Sequence, residues 1–266
     1  MSKALITGGS SGIGLEFSRE LAAKGYDLIL VARGGNGLEP TVENLRQEFG
    51  VNVETIAGDL ADHTDVEKVM AKIRQTEDLE YLINCAGFVL HVNLLSTDPE
   101  DFKTQRAAMD VMATNILLFC AEAAEVMKKR GGGKIINIAS ASAWWFQGNY
   151  SAIKHWVVAY TEALAIALKG TGVTATVVAP AWMKTNFHTS AGLERPAVPD
   201  WLYVNVEQAA RAGLKTAEKS KVLCVPSLKW KIIVWFLAHG PRTWARSMTR
   251  RYMASRNYSK HGSVQQ

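Results

Sequence analysis

The sequence predicts an α/β protein organised around one doubly wound parallel sheet of about seven strands. Short apolar segments alternate with amphipathic helical patterns along most of the chain, and this alternation is typical of parallel strands joined by right-handed crossovers. The strand segments are continuous apolar runs, such as Lys134–Ile138, which suit strands buried on both faces. A glycine-rich turn separates the first strand from the first helix.

The predicted elements follow one another without a long gap before residue 180. The strands are Ala4–Thr7, Asp27–Ala32, Val51–Ile56, Leu79–Asn84, Lys134–Ile138, Val173–Ala179 and Val222–Val225. The helices are Ile13–Lys24, Leu38–Phe49, Asp65–Arg74, Asp101–Lys129 with room for one break, Ala152–Lys169 and Val206–Glu218. Glycines follow several helices, where they favour helix termination. Residues 180–202 are predicted to be irregular.

Composition places these elements in one domain. The chain has 266 residues, of which 48% are hydrophobic and 21% are charged. This length suits one large α/β domain, and no Pro-rich linker, repeat or low-complexity run marks a boundary. We therefore expect a catalytic domain over residues 1–226 and a C-terminal helical extension over residues 227–266.

Cysteine content and the N-terminus favour a cytoplasmic protein. The three cysteines are odd in number and lie in apolar segments, which is typical of reduced core residues and not of disulfides or a metal site. The N-terminus leads directly into a strand and has no signal-peptide core. No apolar run approaches the ~18 residues of a membrane span.

The glycine-rich turn predicts a dinucleotide site. It consists of Thr7, Gly8, Ser10, Ser11, Gly12, Ile13 and Gly14 together with Gly9. Glycines permit a tight turn in which backbone N–H groups approach a diphosphate, and the following helix N-terminus adds positive potential. The alternative is a glycine-rich turn without a ligand, but the strand–turn–helix context favours a dinucleotide.

The residues after the second and third strands indicate which dinucleotide. The second strand ends at Arg33 without a carboxylate, and arginine pairs well with phosphate. We therefore predict NADP(H), with Arg33 on the 2′-phosphate, although Arg33 could instead be a solvated loop charge. Asp59 and Leu60 follow the third strand, where a carboxylate could accept the adenine amino group or cap a short turn. Asn84, Ala86 and Gly87 end the fourth strand, where small residues let a cofactor lie against the sheet, although Asn84 could instead act through hydrogen bonds within the sheet.

Tyr150 and Lys154 are the candidate acid/base pair. Four residues apart on a helix, they share a face, and they lie near the carboxyl end of the strand Lys134–Ile138, where open sheets bind ligands. An ammonium beside a phenol favours phenolate and should lower the tyrosine pKa. Taken alone, this spacing is more often a surface packing pair. Ser140 and Ser142 supply hydroxyls between the strand and the helix.

The chain resembles the short-chain dehydrogenase/reductase family over about residues 1–226. The resemblance is carried in order by the glycine turn, Asp59, the segment Asn84–Gly87, Asn115, Ser140 and the Tyr150–Lys154 pair. It implies a Rossmann fold and hydride transfer between nicotinamide and a carbonyl or alcohol carbon.

The resemblance also implies a role for each matching residue. Tyr150 is the general acid/base, Lys154 lowers its pKa and binds the nicotinamide ribose, and Ser140 hydrogen-bonds the substrate oxygen. Asn115 holds a water that relays protons to Lys154. Pro180 and Thr185 lie beside the nicotinamide or diphosphate.

Three departures from the family pattern concern the same edge of the sheet. Ser140 precedes Tyr150 by only ten residues, a shorter spacing than most members show, which leaves Ser142 as the rival for the serine role. Cys85 stands where asparagine is commoner, and Ala181 stands where glycine is commoner. The shortened loop is expected to reshape the substrate pocket.

The predicted substrate pocket is apolar and aromatic. It is drawn from the 88–98 loop, the 141–149 loop and the segment around residue 185, and it contains no arginine clamp for a small carboxylate. Its residues are Phe88, Leu90, Ser142, Trp144, Trp145, Phe146, Trp182, Met183 and Phe187. We expect a lipophilic carbonyl or alcohol, although single members of this set could only pack a lid.

The extension mixes tryptophans with lysines and arginines over residues 228–256. This composition suits an interfacial membrane helix, and a helix covering the pocket or a subunit contact is the alternative. Nucleic acid is not predicted, because no recognition motif accompanies the charge.

The sequence thus predicts an NADP(H)-dependent carbonyl reductase or alcohol dehydrogenase. A 3-oxoacyl thioester reductase of lipid metabolism is an alternative of the same class, and a catalytically silent cofactor-binding sensor or scaffold is an alternative of another class. The resemblance implies a homodimer or homotetramer that pairs through the helices near 101–129 and after Tyr150.

Overall fold

The fold is a seven-stranded parallel sheet with helices on both faces. A computed structural model describes residues 2–34, 38–90, 92–183 and 199–254, with only the backbone of 252–254. The strands are β1 Lys3–Thr7, β2 Asp27–Ala32, β3 Val53–Ala57, β4 Leu79–Asn84, β5 Gly133–Ile138, β6 Val173–Val178 and β7 Leu223–Cys224. Their order in the sheet is β3-β2-β1-β4-β5-β6-β7, which confirms the predicted Rossmann architecture.

Nine helices are found in the part of the chain that the structure describes. They are α1 Gly12–Ala22, α2 Leu38–Phe49, α3 His63–Gln75, α4 Pro99–Met109, α5 Asn115–Arg130, α6 Asn149–Ala167, α7 Val206–Glu218, α8 Leu228–His239 and α9 Arg242–Ala254. A short 3₁₀ turn at Ala141–Trp144 lies between β5 and α6, and another lies at Asp200–Leu202. All six predicted helices are present within a few residues of their expected limits.

The strand order creates a crevice between β1 and β4. From β1 the chain builds the sheet towards β3 on one side, and from β4 it builds towards β7 on the other. Thr7 pairs with Asn84 across the β1–β4 boundary, and Asn84 pairs with Asn137 of β5. In open parallel sheets, ligands bind at such a switch point, outside the carboxyl ends of the strands.

Two apolar layers hold the sheet between the helices. One layer packs α3, α4, α5 and α6 against one face and includes Phe119, Met127 and Val157. The other packs α1, α2, α7 and α8 against the opposite face and includes Phe17 and Trp230. Because both faces are covered, the central strands consist mainly of buried apolar residues. The edge strand β3 is different, since its Glu54 and Thr55 are exposed.

Two features of the helices concern the cleft. Helix α6 begins at Asn149, three residues before the predicted start, so Tyr150 already lies in its first turn. The predicted break in the long helix is a π-helical turn, Asp110–Thr114, which joins α4 to α5 without a loop. A π turn inserts an extra residue and rotates the side chains that follow it, and Asn115 comes directly after this one.

The continuous helix from Pro99 to Arg130 is the one described helix that is long and apolar enough to span a membrane. About half of its most apolar stretch, 56%, is buried inside the chain. Its buried side, including Phe119 and Met127, packs on the sheet. Such burial is typical of a core helix.

Candidate active site

The turn after β1 is wound so tightly that two of its glycines tolerate no side chain. A Cβ atom on Gly14 would lie 2.1 Å from the Gly8 carbonyl oxygen, and one on Gly8 would lie 3.1 Å from Ala86 Cα. Gly12 has φ +52° and faces open space, so it is required for its backbone conformation and not for contact. The backbone is therefore free to approach a ligand closely.

Two buried hydroxyls fasten this turn to the sheet and the helix. Thr7 Oγ1 accepts hydrogen bonds from the Cys85 and Ala86 backbone N–H groups, at 3.0 and 3.1 Å. Ser18 Oγ donates to the Gly9 and Gly14 carbonyl oxygens, at 3.1 and 3.0 Å. The segment after β4 and the glycine turn consequently form one rigid wall of the crevice.

The first turn of α1 fits a diphosphate. Ser11 precedes the helix, yet its side chain makes no capping hydrogen bond, and the first turn contains no acidic residue. The helix N-terminus therefore keeps uncapped N–H groups and positive potential that a bound anion can use. Ser10 and Ser11 lie at the surface of this turn, whereas Ile13 is buried and anchors it.

Arg33 lies exposed at the carboxyl end of β2. It forms no ion pair with any residue that the structure describes. At the end of β3, Asp59 is also exposed, and its Oδ1 accepts a hydrogen bond from the Ala61 N–H at 2.9 Å. Asp59 therefore caps a short turn, which was the alternative to adenine binding, and its second carboxylate oxygen is not used by that turn.

Asn84 does not point into the crevice. Its side chain is only 3% exposed, and its Nδ2 donates to Asn137 Oδ1 at 2.9 Å. Asn137 in turn donates to Thr161 Oγ1 at 3.0 Å. Asn84 was predicted among the cofactor residues, and the structure places its side chain in a hydrogen-bond network inside the sheet instead. Ala86 and Gly87 line the crevice beyond it, and a Cβ on Gly87 would lie 2.9 Å from Met112 Sδ.

Ser140, Tyr150 and Lys154 come together at the carboxyl end of β5. The Ser140 side chain hydrogen-bonds the Tyr150 hydroxyl, and Ser140 Oγ also accepts from the Ser142 N–H at 3.1 Å. Lys154 Nζ lies 5.6 Å from the centre of the Tyr150 ring and donates to the Ile138 carbonyl oxygen at 3.0 Å. The carboxyl end of strand β5 and helix α6 thus bring a serine hydroxyl, a phenol and an ammonium close together, in an arrangement that we call the Ser140–Tyr150–Lys154 line.

The pKa of Tyr150 shifts in the direction opposite to the sequence prediction. Burial of the hydroxyl raises this pKa to about 12, and the hydrogen bond from Ser140 opposes the rise. Burial also lowers the pKa of Lys154 to about 8. Loss of hydration is the largest cause of the Tyr150 shift, so the net direction of the pKa is upward. A lowering of this pKa by Lys154 stays a prediction. Near neutral pH the pair is a neutral phenol beside an ammonium.

Asn115 links the start of helix α5 to the loop after β3. It is 4% exposed, and its Nδ2 donates to the Leu60 carbonyl oxygen at 2.7 Å. The Leu60 side chain is buried, and Leu60 takes part in this hydrogen bond only through its backbone carbonyl oxygen. The Asn115 side-chain amide is thus engaged within the chain, and a proton-relay role for this residue stays a prediction.

The 141–149 loop of the predicted substrate pocket, called the substrate loop below, forms a layer of aromatic side chains together with Trp182. Trp145 and Trp182 meet edge to face with ring centres 6.3 Å apart, and Trp182 meets Trp230 of α8 at 5.2 Å. Trp144 packs against both core layers, whereas Phe146 is exposed. The Ser142 hydroxyl oxygen is buried and has no hydrogen-bond partner among the described residues.

Other predicted pocket residues lie elsewhere. Leu90 belongs to the hydrophobic core with 8% exposure, which agrees with the alternative that single members of the set only pack, and Phe88 packs partly buried against the same core. Pro180 is buried, and its carbonyl oxygen accepts from the Ala141 N–H at 2.8 Å. Thr185 and Phe187 lie outside the described residues.

The C-terminal extension supports the substrate loop. Trp230 is 2% exposed, and its Nε1 donates to the Leu202 carbonyl oxygen at 2.8 Å. Thr249 of α9 is also buried, and its Oγ1 accepts from the Phe146 N–H at 3.4 Å. Sequence patterns did not identify these contacts, because they join segments that are 28 and 103 residues apart in the chain. The buried polar residues Ser18, Asn137 and Thr161 were missed as well, and Asn137 within an apolar strand was the one visible signal.

Comparison with known proteins agrees with this geometry. A family model described as short chain dehydrogenase matches residues 2–195. The 3-oxoacyl-acyl-carrier-protein reductase of Escherichia coli is 31% identical over 191 residues, covering 69% of this chain and 74% of that protein. D-beta-hydroxybutyrate dehydrogenase of Cupriavidus necator is 31% identical over 251 residues, covering 90% and 92%.

The solved structure of a short-chain dehydrogenase from Sphingobium yanoikuyae in complex with NADPH has the same fold. It superposes with a TM-score of 0.80 at 25% identity, covering 99% of both chains. The glycine turn, the Ser140–Tyr150–Lys154 line and the family match therefore agree. The chain belongs to the short-chain dehydrogenase/reductase family and is an oxidoreductase that transfers hydride between a nicotinamide cofactor and a carbonyl or alcohol carbon.

Proposed function

We propose that this enzyme is an NADP(H)-dependent reductase of lipophilic carbonyl compounds. The observation that carries the proposal is the line of Ser140, Tyr150 and Lys154 beneath an aromatic loop. Bound NADPH would supply the hydride. The raised pKa of Tyr150 keeps its proton in place at neutral pH, and carbonyl reduction requires this protonated form.

Each residue of the line has a separate task in the proposal. The Tyr150 hydroxyl donates its proton to the carbonyl oxygen, and the Ser140 hydroxyl hydrogen-bonds the same oxygen as negative charge develops there. The Lys154 ammonium, close behind the ring, stabilises the phenolate that remains. Gly8, Gly12, Gly14 and the N-terminus of α1 would hold the diphosphate, and Ala86 and Gly87 would leave space for the nicotinamide half.

The preference for NADP(H) rests on Arg33. Its guanidinium is exposed at the end of β2, where the 2′-phosphate would lie, and it has no described ion-pair partner. Arg33→Ala should raise the KM for NADPH about tenfold to hundredfold, with little change for NADH, because one charge-assisted phosphate contact is lost. Arg106→Ala, another exposed arginine, is the control. Equal changes for both cofactors would contradict the preference.

The lipophilic substrate class rests on the aromatic residues Trp144, Trp145, Phe146 and Trp182, of which Trp145 and Trp182 pack edge to face. NADPH oxidation should be measured with long-chain aldehydes, aromatic and steroid-like ketones, 3-oxoacyl thioesters and small polar sugars. We expect turnover of the first three groups, and turnover of sugars alone would contradict the proposal. The relatives do not decide the class, since one is named for an acyl carrier substrate and another for a small hydroxy acid.

Two further candidates can be separated by the same assay. A 3-oxoacyl thioester reductase of lipid metabolism is favoured by the identity to the Escherichia coli enzyme and would show turnover of thioesters only. A cofactor-binding sensor without catalysis would bind NADPH but would not oxidise it with any substrate of this panel. Tyr150→Phe should lower kcat by about 10³ while leaving NADPH affinity intact.

We also propose that the enzyme is a homodimer or homotetramer. Large apolar side chains are exposed on the helices through which the family resemblance predicts pairing, namely Phe102 of α4, Leu117 of α5 and Ile166 of α6. Covering them would remove apolar surface from water. Light scattering should give a mass of two or four chains, and a monomer at micromolar concentration would contradict the proposal.

A further inference from the structure

The C-terminal helices have two different sides. On the inner side, Trp230, Val234, Ala245 and Thr249 are buried against the rest of the chain. On the outer side, six large apolar residues are each more than half exposed: Leu228, Ile232, Trp235, Phe236, Trp244 and Met248. We call these six residues and the basic residues among them the outer face of α8–α9. The inner contacts hold this face in a defined orientation.

The outer face is too apolar for a surface that meets only water. In α8, nine of the twelve residues are apolar, and a helix that is apolar on all sides is normally buried or in contact with lipid. Leu228, Ile232, Trp235 and Phe236 follow a spacing of four, seven and eight residues, so they lie on one side of α8. Trp244 and Met248 repeat this spacing on α9.

The charge of this region has a single sign. Residues 227–266 contain eight lysines and arginines and no acidic residue, whereas residues 1–226 contain 22 basic and 25 acidic residues. The extension thus has a net charge of +8 and the remainder −3. Lys231, Arg242, Arg246, Arg250 and Arg251 are exposed and form no ion pair with a described residue.

We propose that the outer face of α8–α9 docks on an anionic lipid membrane. A lipid surface supplies both an apolar phase for the tryptophans and aliphatic residues and phosphate groups for the arginines. A second copy on the same face would bring like charges together across a two-fold axis without carboxylates to neutralise them. A nucleic acid would leave the exposed aliphatic side chains uncovered.

Docking would place the substrate loop at the membrane. Trp230 and Thr249 connect the inner side to Trp182 and Phe146, so the loop lies directly behind the outer face. This consequence, unlike the docking itself, rests on the proposed lipophilic substrate, which could then enter from the bilayer.

Vesicle co-sedimentation of the full-length protein tests the proposal. Binding to phosphatidylcholine vesicles mixed with phosphatidylglycerol should be at least about tenfold stronger than to phosphatidylcholine alone, and it should weaken in high salt. Trp235→Ala with Phe236→Ala should reduce binding about tenfold or more. Leu95→Ala with Leu223→Ala, an exposed apolar pair elsewhere, should leave it unchanged.

A second set of variants tests the contribution of the basic residues to vesicle binding. Arg250→Glu with Arg251→Glu should abolish the preference for phosphatidylglycerol, whereas Lys128→Glu with Lys129→Glu, exposed at the end of α5, should retain it. Absence of vesicle binding by the unaltered protein would overturn the proposal, as would equal losses in test and control variants. If light scattering shows instead that Trp235→Ala with Phe236→Ala halves the molecular mass and vesicles are not bound, the face is a contact between copies.

The reaction and the docking fail separately in these experiments. Tyr150→Phe should bind vesicles as well as the unaltered protein, because Tyr150 lies away from α8 and α9. Loss of turnover with retained vesicle binding therefore bears on the proposed reaction, and retained turnover without vesicle binding overturns the docking.

Discussion

The cofactor side and the substrate side of the cleft are built in different ways. On the cofactor side, the backbone makes the surface: Gly8 and Gly14 approach neighbouring backbone atoms too closely to carry a side chain. On the proposed substrate side, side chains from three distant segments pack together: Trp145 contacts Trp182, and Trp182 contacts the buried Trp230. A backbone surface depends on a short local sequence, whereas a side-chain surface depends on long-range packing. Substrate choice can therefore change while cofactor binding is conserved.

Ser140 lies between the two sides, and after Tyr150 its removal should have the largest effect. Ser140→Ala should lower kcat by about 10² to 10³, because one hydrogen-bond donor to the developing oxyanion is lost. Ser142→Ala is the matched control and should lower kcat less than tenfold, since Ser142 does not contact Tyr150 in the described hydrogen bonds. Steady-state kinetics with saturating NADPH measures both, and the reverse order would assign the serine role to Ser142.

A side chain at Gly14 should disrupt the cofactor side alone. Gly14→Ala places a Cβ 2.1 Å from the Gly8 carbonyl oxygen, so the turn must open, and we expect NADPH affinity to fall about a hundredfold. Gly25→Ala is the control, because it introduces a side chain at a positive φ where no other atom lies within 4 Å of the new Cβ. This variant should be less stable but should retain its affinity for NADPH. NADPH fluorescence titration, with circular dichroism to check folding, separates the two outcomes.

The pH dependence of carbonyl reduction tests the role of the Lys154 ammonium. Because burial lowers the pKa of Lys154 to about 8, its side chain is mainly an ammonium below that pH and loses this proton above it. For reduction, kcat/KM should be constant below about pH 8 and fall about tenfold per unit above it. Lys154→Arg, which keeps its charge, should remove this decline if it folds. A decline that persists in the arginine variant would assign the titration to another group.

The smallest effect is expected from a change behind the substrate loop. Trp230→Phe keeps the ring in the core but loses the hydrogen bond to the Leu202 carbonyl oxygen. It should cost about 1 kcal/mol of unfolding free energy and raise the substrate KM severalfold, with NADPH affinity unchanged. Trp235→Phe on the exposed side of the same helix is the control. A matching loss of NADPH affinity would show that the two sides are coupled.

Most of the fold could be predicted because its signals are local. Runs such as Lys134–Ile138 suit strands buried on both faces, and a glycine turn of this pattern is typical of the connection between a strand and a helix. The order of Asn115, Ser140, Tyr150 and Lys154 was likewise visible in the sequence. Helix limits were less certain, because the start of α6 at Asn149 depends on the turn before it and not on periodicity.

The sequence by itself determined the sheet and the family, and it predicted the nicotinamide site and the reacting side chains, because each depends on a short segment with a distinctive pattern. Only the tertiary structure decided that burial raises the pKa of Tyr150, that Asn84 faces Asn137 and that Leu90 belongs to the core. It also decided which side of α8 and α9 is covered. These properties depend on desolvation and on contacts between residues far apart in the chain, which no local pattern records.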